Sequence, residues 1–312
     1  MDLKQSIIKT LSYFDLFEYP LTKEELFRFL YVGGTGEKMS YVEFCERLEQ
    51  LPFKNHFGYY FLPGRENIVE LRRQRLMYNE HKLRLAERAV KMIRSVPFLR
   101  AVFVCNSVGA GTAKHGSDVD FFIITAPNRI WLVRFFTNLI LRLFGLRTYG
   151  NKSANRICLS FFVDTEHLDL ANWKIADDDI FLIYWLYQLV PVFDPDNWRE
   201  KILSNNLWTK NFLPNAASQL PEDYINKVLP TQLSSGWQKI WERMWQGGYG
   251  DFLEKQARDW QMMKLKFSIK EKASSNDKSV VLDKGVIKLH ENDRREFYRK
   301  EWLEKLQNEK NN

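Results

Sequence analysis

The sequence predicts an α+β fold, a mixed sheet flanked by helices, from three patterns. Short apolar runs rich in Val, Ile and Phe, bounded by turn residues, fall at 101–105, 121–125 and 157–163, as buried strands require. Longer stretches with apolar residues three and four apart lie before, between and after them, as packed helices require. Residues 1–64 read as a separate small unit of short helices closed by a hairpin.

In that first unit Leu3, Ile7, Leu11 and Phe14 recur at helical spacing, and Pro20 stops the helix. Thr22 with Glu25, and Ser40 with Glu43, are capping boxes that each open an apolar helix. Residues 53–62 then give two short strands around 55–58. This order resembles a winged helix-turn-helix. The helix that would enter a DNA groove carries Glu43, Glu46 and Glu49 against the single cation Arg47, so a structural or protein-contact role is the stronger expectation.

Residues 65–96 read as one connecting helix with Leu71, Leu76, Leu83, Ala86, Ala89, Val90 and Ile93 as its apolar stripe. Arg72, Arg73, Arg75, Lys82, Arg84, Arg88 and Lys91 make it the most basic element. A solvated face is the plainer reading and contact with nucleic-acid phosphates the sharper one. Residues 97–176 hold the strand runs and an apolar helix at 127–145. Residues 177–269 turn helical: one helix runs from Ile180 through Val190 to Pro191 and Pro195, another carries Trp237, Trp241 and Trp245 as a core stripe, and a third spans 252–267. In 270–312 a Ser-rich linker at 270–278 leads to a hairpin at 280–289 and a charged helix. His290 with Arg294 and Arg295 offers a phosphate clamp, and helix capping by Asn292 or Asp293 is the plainer account.

The 312 residues are enough for two or three cores, and 45% hydrophobic with 27% charged residues is the balance of an ordinary soluble protein. The formal charge of +7 is spread along the chain, so it is compatible with a polyanion but does not demand one. Cys45, Cys105 and Cys158 lack metal-ligand spacing, which excludes a zinc site or a disulfide framework, and Cys105 and Cys158 sit in apolar runs as inert core residues. No signal-peptide pattern opens the chain, and Arg134 and Arg142 interrupt its most apolar helix. A cytoplasmic protein without a membrane partner is therefore expected.

The chemistry concentrates in residues 101–125, AVFVCNSVGAGTAKHGSDVDFFIIT. Asp118 and Asp120, two apart at the head of a strand, project together. Paired carboxylates repel unless a cation sits between them, and oxygen ligands suit Mg²⁺, whose shell substrate phosphates complete. The small-residue loop before them, with Gly109, Gly111 and Lys114, lets backbone N–H groups and one ammonium approach a triphosphate.

The order Asn106-Ser107, Gly111-Thr112, Lys114 and Ser117-Asp118-Val119-Asp120, then Phe121 to Ile124, resembles the signature of the DNA polymerase β-like nucleotidyltransferase superfamily, in particular the kanamycin nucleotidyltransferase-like and minimal nucleotidyltransferases. One departure is that Asn106 stands where the family usually has Gly. The resemblance implies a nucleotidyltransferase that moves a nucleoside monophosphate from an NTP to a hydroxyl acceptor. Asp118 and Asp120 would hold a two-ion Mg²⁺ site, with Mn²⁺ as the alternative ion. Ser107, Gly109, Gly111, Thr112, Lys114 and Ser117 would bind the nucleotide. The family also places a third acid on the next strand, for which Asp164 is the candidate metal ligand and proton acceptor. If the register instead sets Cys158 or Ser160 opposite the pair, that carboxylate is missing. The acceptor is open, and the alternative function is a weak or inactive nucleotidyltransferase-fold regulatory or binding protein, with nucleic acid as a partner through the winged helix.

Overall fold

The structure is a computed structural model that describes residues 2–150, 152–216, 228–265, 279–289 and 293–311, together with 269, 271 and 273. It is a mixed α+β protein built on a six-stranded mixed sheet and a small three-stranded one. Most of the predicted linker at 270–278, and His290 with Asn292 of the predicted clamp, lie outside the described residues.

The chain begins with α1 (Leu3–Asp15), β1 (Leu21–Thr22), α2 (Lys23–Arg28), α3 (Tyr41–Glu49), β2 (Asn55–His56) and β3 (Tyr59–Tyr60). Both expected caps form: the Thr22 hydroxyl accepts from Glu25 N–H while Glu25 accepts from Thr22 N–H, and the Ser40 hydroxyl accepts from Glu43 N–H. The β2–β3 loop is only Phe57-Gly58, both at positive φ (51° and 80°), the backbone twist that tight hairpins need. The three strands order β1-β3-β2.

Next comes α4 (Asn67–Ile93), whose C-terminal half buries Ala86, Ala89, Val90 and Ile93 as expected. Its N-terminal half departs from the predicted stripe. Leu76 is 53% exposed, whereas Arg72, Arg75 and Lys82 are almost fully buried. They can be buried because each charged end meets two or more acceptors, although the Nε of Arg72 and of Arg75 finds none. Arg72 makes a bidentate pair with Glu25 (2.6 and 2.8 Å) and also donates to the Pro20 carbonyl. Arg75 donates to the Phe17 and Glu18 carbonyls at 2.6 and 3.0 Å, just past the end of α1 where the helix dipole favours a cation. These side chains tie the first unit to α4 and are not available to phosphates.

The large sheet is made of β4 (Leu99–Cys105), β5 (Val119–Thr125), β6 (Ile157–Asp164), β7 (Val190–Phe193), β8 (Val280–Asp283) and β9 (Val286–Leu289), in the order β7-β4-β5-β6-β9-β8. Only β5 and β6 are parallel. The crossover between them carries α6 (Ile130–Leu143). Strand alternation divides the interior in two: Phe103, Cys105, Phe122, Ile124 and Phe161 face one core, and Val102, Val104, Phe121, Ile123 and Phe162 the other. The first core also takes in α1, α7 (Ile180–Tyr187) and Trp302 of the last helix, α11 (Arg295–Asn311).

Two expectations are corrected here. The apolar run from Ile180 is not one helix: α7 ends at Tyr187 and Val190–Phe193 forms β7. Pro191 is tolerated because β7 lies at the sheet edge, where a missing N–H leaves no partner unsatisfied. The hairpin expected at 280–289 forms, and β9 pairs with β6, covering an edge that would otherwise be unpaired. The Trp stripe on α9 (Gln232–Met244) is only partly core. That helix docks through polar contacts, Gln238 to the Val96 carbonyl and Glu242 to Phe98 N–H and Arg100, which leaves Trp237 53% exposed. Its successor α10 (Gly247–Lys264) likewise docks by Glu254, which accepts from the Trp131 and Leu132 N–H groups that open α6.

Replacing Arg75 with Met leaves two carbonyls without their donor, and we expect a loss of about 3 kcal/mol in denaturant unfolding. Glu18→Gln, at the half-exposed end of the same contact, should cost less than about 1 kcal/mol.

Candidate functional site

At the end of β4 the chain turns through Asn106, whose φ of +54° lies in the left-handed region. Glycine enters that region freely, and Asn does so more readily than other L-residues. Asn106 therefore makes a backbone turn that glycine makes freely, and adds an amide. Its oxygen accepts from Trp185 Nε1 at 3.0 Å, and its amide sits beside Asp120, where it favours that acid's charged form. The short helix α5 (Asn106–Gly109) follows. A Cβ at Gly109 would lie 2.8 Å from the Gln188 carbonyl oxygen and 2.9 Å from that of Val104, so only glycine fits. Gly111, at φ +75°, closes the turn against Tyr19.

The loop then bonds to itself. Thr112 donates through its N–H (2.8 Å) and its hydroxyl (3.2 Å) to the Ser107 carbonyl, and the Ser117 hydroxyl accepts from Lys114 N–H at 2.9 Å. Lys82 holds the loop from α4: its ammonium donates to the His115 and Ser117 carbonyls and to Asn155 Oδ1, at 3.2, 2.6 and 2.8 Å. This pin fixes the residue immediately before Asp118.

Asp118 and Asp120 come together as expected. Their carboxylates and Cys158 Sγ lie within 4.8 Å of one another. The register answers the question of the third acid. Cys158 pairs with Asp120, and an irregularity before the Phe122–Phe161 pair gives β6 one extra residue. Asp164 pairs with Thr125, five residues further along, about 16 Å from the pair. There Asp164 accepts from Glu166 N–H (2.9 Å) and from the His167 ring nitrogen (2.6 Å). It belongs to the far end of the sheet and does not join the site.

Burial is the largest influence on the two acids. It pushes Asp120 up to about 6, with the Asp118 charge adding to the rise and Asn106 opposing it. Asp118 is also raised by burial, while Lys82 and Arg147 pull it back. Burial pushes the Cys158 thiol up to about 12, and its soft sulfur suits a hard ion such as Mg²⁺ less well than the two carboxylates do.

Asp120 faces a cavity of about 300 Å³ between the sheet, α1, α7 and α11, and Asp118 stands beside it outside the cavity lining. Asn106, Ser107, Thr112 and Asp120 line one part of it, and aromatic side chains with Lys288, Arg294 and Arg295 line the rest. Of the predicted nucleotide-binding residues, Ser107 and Thr112 reach the cavity, Gly109 and Gly111 shape the turn behind it, Lys114 is exposed and the Ser117 hydroxyl is taken up within the loop. Sequence reasoning missed Lys82, Arg147, Trp185 and Lys288. For Lys82 the readable signal was its place on the face that continues into Ala86 and Ala89.

Because the folded Asp120 takes up its proton at about 6 and an unfolded Asp at about 3.9, the apo protein loses stability as pH rises through that window. Asp120→Asn should therefore raise Tm at about pH 7.5 and leave it unchanged near pH 4; an equal or lower Tm at the higher pH contradicts this. Asn106→Ala should melt below Asn106→Gly, by about 1 kcal/mol of backbone strain. No family model, curated protein or solved structure matches the chain, so its functional reading rests on the carboxylate pair and the cavity beside it.

Proposed function

We propose that the chain is a Mg²⁺-dependent nucleotidyltransferase of the DNA polymerase β-like kind, moving a nucleoside monophosphate from an NTP to a hydroxyl acceptor. The observation that carries this reading is the Asp118–Asp120 pair, Asp118 half-buried and Asp120 buried at the edge of an apolar cavity that Ser107 also lines. Burying two like charges together is unfavourable, and that arrangement is relieved by a divalent ion. The donor set fits Mg²⁺, with Mn²⁺ as the alternative: two hard carboxylate oxygens, a thiol that stays neutral, and room for phosphates. When bound, the metal would neutralise charge on the triphosphate and polarise the α-phosphate.

The chain's own residues then have distinct tasks. Asp118 and Asp120 supply the ligand oxygens. Asn106 orients Asp120 and is itself fixed by Trp185. Ser107, at the cavity wall, offers a hydroxyl to the phosphates. The acceptor oxygen bonds to the α-phosphorus as the bond to the α–β bridging oxygen breaks. Pyrophosphate leaves with that electron pair, and the acceptor proton passes to it or to water, because among the described residues no third carboxylate stands opposite the pair.

Cys158 at the third-acid position favours a second reading, a weak or inactive transferase-fold regulator. The order α1-β1-α2-α3-β2-β3 with strands β1-β3-β2 supports the winged-helix reading of the first unit. Its α3 presents Glu43, Glu46 and Glu49 outward while Arg47 pairs with Glu43, so a protein contact suits it better than DNA.

Calorimetry with Mg²⁺ and each NTP separates the two readings. Saturable binding is expected in the wild type, weakened about tenfold or more in Asp118→Ala and Asp120→Ala and unchanged in Asp164→Asn. Unaltered binding by Asp120→Ala would sink the metal assignment. No binding of any Mg–NTP leaves the regulator.

A further inference from the structure

The cavity beside Asp120 has a charge pattern that names its occupant. Register locates its two poles. Asp120 and Phe122 lie on one face of β5, Phe161 stands opposite Phe122 on β6, and Lys288 stands opposite Phe161 on β9. Two strand spacings across and two residues along put the Lys288 and Asp120 backbones about 12 Å apart on the same sheet face.

The middle of the cavity is aromatic. Phe161 stacks on Trp173 at 4.9 Å and lies 5.5 Å from Trp185, while Phe181 stacks on Tyr298 at 5.6 Å. The far pole is cationic. Lys288 pairs with Asp293 at 2.8 Å, and Arg295 pairs with Asp179 at 3.0 Å and with Asp293. Arg294 is exposed at the rim, its guanidinium 5.2 Å from the Phe297 ring. Among the described residues that line this end, three cations, Lys288, Arg294 and Arg295, stand with one carboxylate, Asp293, while Asp179 pairs with Arg295 from behind.

We infer that this cavity takes the acceptor, a small alcohol that is aromatic or otherwise apolar in its middle and anionic at the end away from its hydroxyl. The inference rests on the transferase reading for its direction, hydroxyl toward Asp120. An NTP lying along the cavity would put its phosphates at the aspartate pole and leave a neutral base facing the cations. An anionic alcohol satisfies both poles and covers the aromatic walls. A polycationic sugar meets like charge at the rim, and a volume of about 300 Å³ suits a small molecule over a macromolecular chain.

The test is a charge series on one ring system, read by Trp fluorescence quenching in the full-length protein with neither metal nor nucleotide. The probes are 6-hydroxynaphthalene-2-carboxylate, its methyl ester and the 6-aminomethyl-2-naphthol cation. The carboxylate should bind about tenfold tighter than the ester, and the cation weakest. Arg294→Ala, on the surface and so free of folding risk, should remove most of the carboxylate's advantage, and Arg294→Lys should restore much of it. Equal binding across the series, tightest binding of the cation, or carboxylate binding untouched by Arg294→Ala overturns the inference. A preserved series with no Mg–NTP binding keeps the anionic-alcohol site and removes the transferase. Mg–NTP turnover without the series does the reverse.

Discussion

Two carboxylates forced together under the end of a sheet are the constraint to which the rest of this protein answers. Neither Asp118 nor Asp120 makes a close ion pair with a cation among the described residues. Lys82 and Arg147 act on them from a distance, and the Lys82 ammonium is itself spent on carbonyls. The fold thus holds the loop rigid and leaves the acids uncompensated. A structural role would call for the opposite, because a buried charge is normally paired. Tolerating such a pair lowers stability, which is the signature of a site kept for binding.

Much of this was readable before any coordinates. The strand runs, the α4 and α6 helices, both N-terminal caps and the projection of the two aspartates follow from local rules: period, capping chemistry and turn residues. What could not be read depends on distant partners. Asp164 looked like the third acid because it ends an apolar strand, but one extra residue on β6 decides that Cys158 faces Asp120, and no local pattern announces that irregularity. Arg72 and Arg75 looked solvated because their acceptors, the Phe17, Glu18 and Pro20 carbonyls, are more than fifty residues away. Pro191 looked like a helix stop because the strand it belongs to exists only beside β4.

The same long-range assembly builds the cavity. One wall comes from α1, another from α7, and the cationic pole from β9 and the start of α11, so residues near both ends of the chain close over a site seated in its middle. The contacts holding α11 in place are specific: Trp302 Nε1 donates to the Lys9 carbonyl at 2.9 Å, Lys305 pairs with Asp15 at 2.7 Å, and Arg299 with Asp178 at 2.9 Å. Arg295 joins Asp179, which also caps α7 through Leu182 N–H. The segment that carries the positive pole is thereby locked to the helix that carries Trp185, and through Trp185 and Asn106 to the aspartates.

That linkage bears on how a ligand is oriented. Charges carried on backbones about 12 Å apart and separated by aromatic walls are screened less than charges on a wet surface, so the cavity acts as a fixed dipole, negative at Asp120 and positive toward Lys288 and Arg294. Loading the aspartate pole does not reverse it, because two carboxylates and a triphosphate together outweigh the charge of two magnesium ions. In the proposed reaction an acceptor with a single anionic end would feel the same orienting field before and after the nucleotide arrives, and its hydroxyl would be the end directed at the reacting phosphorus. A neutral alcohol of the same shape would have no such preference, which makes the rim cations determinants of which end reacts as well as of affinity.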